Sequence, residues 1–143
     1  MDIRYVEISN LKFCDTLYSS FVNERDRILI TRWRISCHNL RTETGRYDNP
    51  PTPRNERVCL TCLIVEDETH ALFHCICHSF IRLRYNNLFQ KYHTVSEILS
   101  PVTLEDVSLV ANLIKDIERN MTQLKMVQTV YLLICFVCCT LLT

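Results

Sequence analysis

The 143-residue sequence has few of the residues that make turns, with only one glycine and four prolines. A β-sandwich or barrel needs turn residues between many short strands, so this scarcity favours helices. The first ten residues lack the basic and apolar run of a secretory signal, which predicts an intracellular protein of the nucleus or cytoplasm. In that setting, nine cysteines indicate metal ligands rather than a disulfide framework.

A charge excess is also missing, because 16 Lys and Arg balance 16 Asp and Glu. This balance excludes a uniformly basic protein that coats nucleic acid. The cations are nevertheless chosen unevenly, with 12 arginines against four lysines. Arginine binds phosphate bidentately and stacks on bases, so this bias favours contact with nucleic acid despite the zero net charge.

Enzyme signatures are absent from the sequence. It contains no Walker loop, no His-Glu-x-x-His motif and no Asp-Asp pair that could hold the metal ions of a polymerase. Its length also leaves no room for the palm and fingers of a polymerase. We therefore expect the chain to have no catalytic residues and not to be an enzyme.

The most distinctive stretch reads Cys59-x2-Cys62-x7-His70-x4-Cys75. Two thiols separated by two residues can bind one metal ion from a tight turn, and two further ligands nearby complete a tetrahedron around zinc. Four protein ligands leave no open coordination position, so this zinc would be structural rather than catalytic. The sequence thus predicts a structural Zn²⁺ site.

The fourth ligand has two candidates on spacing. His70 and His74 are four residues apart and would share one face of a helix, completing a Cys2His2 site. His70 and Cys75 are five residues apart, about 140° around an ideal helix, so this pair requires a helix that starts late or is distorted. Spacing alone leaves both assignments open.

Hydrophobic periodicity predicts helices before this stretch and within it. A short amphipathic helix is expected over residues 9–22, and a second helix begins at Asn23. A third is expected over residues 69–79, with Asp67 as its N-cap. Gly45, the only glycine, is expected at a positive φ angle. The second helix should bury Ile28, Leu29, Trp33 and Ile35 and expose Arg25, Arg27, Arg32 and Arg34.

The C-terminal part of the chain predicts one amphipathic helix and an apolar end. After Thr103, six apolar residues recur at a spacing of 3-4-3-4-3, and we call them the seam: Val107, Val110, Ile114, Ile117, Met121 and Leu124. Such a narrow stripe packs along another helix, here most simply within the same domain, with a dimer contact as the alternative. Residues 126–143 would span roughly 27 Å as a helix, which is short for a membrane anchor.

Segments around the cysteine stretch resemble one known family. They read RWRISCHNL (32–40), ETGRY (43–47), ERVCLTC (56–62) and EDETHALFHC (66–75), with Arg82 beyond them. Over residues 28–90 the pattern is similar to the zinc-binding region that follows the reverse transcriptase in non-LTR (LINE-type) retrotransposons.

This resemblance implies that Cys75, with Cys59, Cys62 and His70, ligates the zinc. It also implies a nucleic-acid role in which the module helps a polymerase, in a parent polyprotein, to hold template RNA or target DNA. The expected contacts are Arg32, Arg34, Arg41, Arg46, Arg54 and Arg57, with Trp33 and Tyr47 as stacking surfaces.

The expected architecture is mostly α: a small helical domain organised around a CCHC zinc site, with an apolar C-terminal helix or tail. Residues 1–27 form an N-terminal helical segment and residues 28–92 the reverse-transcriptase-type zinc-binding domain. Residues 93–125 form an amphipathic helical segment and residues 126–143 the apolar tail.

Three other hypotheses remain open from the sequence. The arginines could form a solvated face and pair with the acidic run 66–68. The chain could be a zinc-organised protein-interaction module that uses the seam to bind a partner helix. It could also be a small tail-anchored membrane protein with a cytosolic zinc domain.

Overall fold

The computed structural model of the protein describes residues 15–141. The chain is mostly helical, as predicted, with 67% helix. Among the described residues no strand forms, and an isolated antiparallel bridge joins Val58 to Val65. Within the same residues, no helix is both long enough and apolar enough to cross a membrane.

The described part of the chain contains six α-helices, joined by short turns. They are α1 (Glu24–Arg34), α2 (Arg41–Thr44), α3 (Ser79–Arg84), α4 (Asn86–Lys91), α5 (Val95–Ile98) and α6 (Leu104–Leu141). The 3-10 turns are Asp15–Tyr18, Gly45–Tyr47, Arg54–Glu56 and Ile76–His78, and a π-helix covers His70–His74. Of the helix predicted over residues 9–22, residues 9–14 lie outside the described part, and the remainder contains only the first of these 3-10 turns.

Helix α1 begins where the sequence predicts but buries a different face. The Asn23 side chain accepts a hydrogen bond from the backbone N–H of Arg25 at 2.9 Å, which confirms the N-cap. Ile30, Trp33 and Arg34 are buried, because positions three and four apart share one side of a helix. The outward position predicted for Arg34 was therefore wrong, and Ile28 and Ile35, predicted inward, are about half exposed, at 51% and 52%.

Helix α6 covers the core with its seam. Val107, Val110, Ile114, Ile117 and Met121 are all buried, whereas Leu124 is 42% exposed. The Glu118 carboxylate accepts a hydrogen bond from the Trp33 indole N–H at 3.0 Å, and Lys115 pairs with Asp26 at 2.6 Å, so α6 is fastened to α1. The prediction that the seam packs within its own domain is confirmed. The helix continues without a break past residue 126.

Within residues 15–141, one hydrophobic cluster forms the core. It includes Leu17, the buried side of α1, Leu72, Leu88, Ile98 and the buried residues of α6. These residues come from three of the four predicted segments, 1–27, 28–92 and 93–125. The segment boundaries themselves stay a prediction.

Candidate metal centre

The structure brings the four predicted ligands together. The ligand atoms of Cys59, Cys62, His70 and Cys75 all lie within 4.8 Å of one another. The Cys75 Sγ atom is 3.9 Å from the Sγ of Cys59 and 3.9 Å from the Sγ of Cys62. Cys59, His70 and Cys75 are buried. Three thiols and one imidazole at these distances could hold a metal ion.

A tight turn presents the first two thiols. The Val58–Val65 bridge closes its base, and the backbone N–H of Cys59 donates to the Ile64 carbonyl at 2.8 Å. Inside the turn, the N–H of Leu63 donates to the Cys59 carbonyl at 2.8 Å. Leu63 has a φ angle of 57°, the left-handed conformation that the sharp reversal requires. The turn therefore places Cys59 and Cys62 beside each other.

A π-helix presents the other two ligands. The N–H of Cys75 donates to the His70 carbonyl at 2.7 Å, which is the i→i+5 bond of a π turn. This wider turn brings residue 75 back over residue 70, so the distortion that the His70/Cys75 pair requires is present. His74 is exposed and lies outside the group. The continuous helix predicted over residues 69–79 was wrong, because Cys75 adopts an extended conformation and ends the π-helix.

The thiols differ in how easily they ionise. Burial raises the pKa of the Cys59 thiol, and burial together with the neighbouring Cys59 sulfur raises the pKa of Cys75. Burial acts in the same direction on Cys62, but the backbone N–H of Ile76 and the two neighbouring thiols outweigh it and lower the Cys62 pKa. Three adjacent thiolates would repel one another, so ionising all of them requires a cation between them.

His70 also has the chemistry of a ligand. Burial lowers its pKa, which favours the neutral imidazole that binds metals. Both ring nitrogens are buried, and neither has a hydrogen-bond partner among the described residues. An imidazole buried without a partner is costly unless a metal ion takes one nitrogen.

Backbone N–H groups surround the sulfur atoms. Those of Thr61 and Cys62 hydrogen-bond to Cys59, those of Ile76 and Cys77 to Cys62, and that of Cys77 also to Cys75. Such bonds stabilise thiolates and orient them. The Cys77 carbonyl accepts a hydrogen bond from the Asn120 amide at 2.9 Å, which ties this segment to α6. Sequence reasoning missed Asn120 and the backbone role of residue 77, because amide groups leave no sequence signal.

The acidic run before the π-helix holds the centre in place. The Glu66 carboxylate accepts the backbone N–H of Arg41 at 2.8 Å, at the start of α2. The Asp67 carboxylate accepts the N–H of His70 at 2.9 Å, which confirms Asp67 as a cap. Glu68 is buried and accepts hydrogen bonds from His38 at 2.7 Å and Ser36 at 2.5 Å. Burial alone would raise the Glu68 pKa, but these two hydrogen bonds outweigh it and hold the pKa at about 2.

The six arginines predicted to contact nucleic acid have different environments. The Arg34 Nε donates to the Leu99 carbonyl at 2.6 Å, inside the protein. The Arg57 guanidinium donates to the carbonyls of Thr42 at 2.8 Å and Thr52 at 2.7 Å. Arg41 pairs with Asp48 at 3.0 Å. The other three, Arg32, Arg46 and Arg54, are exposed.

The two predicted stacking surfaces also separate. Trp33 is 1% exposed and belongs to the core, so its ring cannot receive a base. Tyr47 is 80% exposed.

Gly45, the glycine expected at a positive φ angle, has a φ of −65°, so that expectation was wrong.

Comparison of the chain with protein-family models, with curated proteins and with solved structures gives no significant match. The resemblance to the retrotransposon zinc-binding region therefore stays a prediction from the sequence segments that carry it.

Proposed function

We propose that this protein is a zinc-stabilised nucleic-acid-binding module. The group of three thiols and one imidazole carries the proposal. With a Zn–S distance of about 2.3 Å, a tetrahedral site separates its sulfur atoms by about 3.8 Å. Both the Cys59–Cys75 and the Cys62–Cys75 sulfur pairs lie at 3.9 Å. These two sulfur pairs therefore match the spacing of a tetrahedral zinc ion.

The donor set supports zinc and a structural role. Soft thiolates with one imidazole in tetrahedral geometry favour zinc over magnesium or calcium, which prefer oxygen ligands. With four protein ligands, the ion has no open position for water or substrate. Zinc would supply the positive charge that allows the three thiols to ionise together, and would couple metal binding to folding.

The exposed arginines support nucleic acid as the partner. Arg32, Arg46 and Arg54 are exposed, and guanidinium groups bind phosphate in a bidentate manner. Three phosphate contacts predict a slope of log K against log salt of about −2 for single strands, against about −4 for all six predicted arginines. Binding is expected to be micromolar or weaker and nearly independent of sequence. If the sequence resemblance holds, the RNA or DNA is the template or target of a polymerase.

A protein-interaction role ranks second because of where the seam lies. The predicted surface for a partner helix was the seam of α6, and its residues from Val107 to Met121 are buried within the chain itself. Only Leu124, at its end, is partly exposed, at 42%.

The proposal is tested with zinc-loaded protein and labelled single-stranded RNA or duplex DNA between 50 and 200 mM salt. We expect one zinc per chain by metal analysis. Binding to single-stranded RNA should weaken with salt, with a slope of log K against log salt of about −2. Changing Arg46 or Arg54 to alanine should reduce the size of the single-strand slope by about 0.7. Arg119→Ala is the matched control, because this α6 side chain is 68% exposed but lies outside the predicted set. Folded, zinc-loaded protein without salt-dependent binding would refute the nucleic-acid part of the proposal.

A further inference from the structure

Residues 45–57 form a loop whose first and last residues, Gly45 and Arg57, both hydrogen-bond to Thr52, and we call it the stapled loop. The backbone N–H of Thr52 donates to the Gly45 carbonyl at 3.0 Å. The Arg57 guanidinium donates hydrogen bonds to the carbonyls of Thr42 and Thr52, and so links the loop to α2. On the other side, Asp48 accepts the Thr52 hydroxyl at 2.5 Å. The loop is therefore preorganised by contacts within the protein.

The outer surface of the stapled loop presents an aromatic ring beside a guanidinium. Tyr47 is 80% exposed, and the side chain of Arg46 is 47% exposed. Glu43 orients both, because one carboxylate oxygen accepts the Tyr47 hydroxyl at 3.2 Å and the other pairs with Arg46 Nε at 3.3 Å. The Tyr47 hydroxyl is hydrogen-bonded to Glu43, while its apolar ring is exposed to solvent and available to a partner.

This arrangement matches what an unpaired nucleotide requires. An unstacked base binds to an aromatic face largely independently of its identity, while a neighbouring guanidinium binds its phosphate. A loop that is already held in place loses little conformational freedom on binding. In a duplex the bases are stacked on each other, so their faces are not available to the ring.

We propose that the stapled loop is a platform for single-stranded nucleic acid, on which Tyr47 stacks against a base and Arg46 contacts the adjoining phosphate. This inference rests on the proposed nucleic-acid function and adds a preference for single strands over duplex. The preference comes from the ring, whereas the arginines act on both kinds of nucleic acid.

The test compares Tyr47→Ala with Phe80→Ala on an RNA oligonucleotide and on a duplex of the same length. Phe80 is a matched control, because it is 69% exposed on α3 and has the Arg84 guanidinium 5.7 Å from its ring centre. Tyr47→Ala should weaken single-strand binding about 10-fold and leave duplex binding unchanged, since stacking contributes only where a base is free. Phe80→Ala should change neither. The melting temperature should stay the same in both variants.

Two further variants separate the ring from its hydroxyl. Tyr47→Phe keeps the ring and should bind single strands nearly as wild type does. Tyr47→Trp should also bind single strands. The oligonucleotide should quench the fluorescence of the new tryptophan, whereas the fluorescence of the buried Trp33 should not change.

Four results would overturn the inference. If Tyr47→Ala weakens single-strand and duplex binding equally, the ring does not select unpaired bases. If Phe80→Ala causes the loss instead, the platform lies on α3. If Tyr47→Ala has no effect while Arg46→Ala lowers the salt slope, the stacking role fails but the nucleic-acid function stands. A wild-type protein that binds no nucleic acid would overturn both.

Discussion

The backbone of Gly45 lies directly against the side chain of Arg57. A Cβ atom on residue 45 would come within 2.8 Å of both Cγ and Cδ of Arg57. The arginine cannot easily give way, because two carbonyl oxygens hold its guanidinium. Since the φ angle of Gly45 is −65°, the glycine is needed for this close approach and not for its backbone conformation.

Gly45→Ala should therefore destabilise the protein by about 1–3 kcal/mol, as overpacking does. The measurement is chemical denaturation of the zinc-loaded protein. In an Arg57→Ala background the same change should cost almost nothing, because the clashing stem is gone. Equal costs in the two backgrounds would show that Arg57 is not what excludes a side chain at residue 45.

The metal ligands can be tested with a pair of neighbouring substitutions. Cys75→Ser should lose zinc and part of the helical signal, because it removes a buried ligand and leaves the other thiols unable to ionise together. His74→Ala should keep one zinc per chain, since His74 is exposed and outside the group. The measurement is zinc content after gel filtration, with cobalt absorption as a check of tetrahedral geometry. Zinc kept by Cys75→Ser but lost by His74→Ala would instead assign a Cys2His2 site.

The buried Glu68 carboxylate predicts a pH dependence of stability. Its pKa is about 2 in the folded protein and 4.5 ordinarily, so its contribution is complete above pH 4.5 and disappears as the pH falls towards 2. Glu68→Gln should cost about 2 kcal/mol near neutral pH, because it removes the charge that His38 and Ser36 bind.

The difference in unfolding free energy between wild type and Glu68→Gln should narrow as the pH is lowered from 4.5 to 2. Zinc content is measured at each pH, and the two proteins are compared only where it is the same in both. Glu56→Gln, at an exposed position, is the control and should show no such trend. A difference that stays constant over this range would mean that Glu68 has an ordinary pKa.

Local patterns in the sequence predicted the elements that depend on near neighbours. The Asn23 and Asp67 caps and the seam of α6 follow from spacing over a few residues. The grouping of the ligands also follows from spacing, but the choice of Cys75 over His74 needed a distorted helix. The π turn that supplies it forms within tertiary structure and has no simple sequence signal.

The contacts that the arginines make could not be predicted from local patterns. Arg34 and Arg57 each bind carbonyl groups from distant segments, Leu99 and Thr42. Only the folded chain determines which carbonyl groups lack a backbone hydrogen-bond partner. The sequence therefore does not distinguish an arginine that binds such carbonyls from one that binds phosphate. The same holds for Glu68, whose partner His38 lies 30 residues away.

Leu63 provides the last prediction, because it occupies a left-handed conformation with a φ angle of 57° while its side chain is 75% exposed. For a branched residue that conformation costs about 1–2 kcal/mol, more than the entropy of about 0.5–1 kcal/mol that glycine loses on folding. Leu63→Gly should therefore raise the unfolding free energy by about 0.5–1 kcal/mol in chemical denaturation and keep the zinc. Leu60→Gly is the matched control in the same turn, where the leucine is 60% exposed and has no positive φ angle. It should lower stability by a similar amount, because glycine there brings only its entropy cost. If both substitutions destabilise equally, the turn does not hold Leu63 under backbone strain.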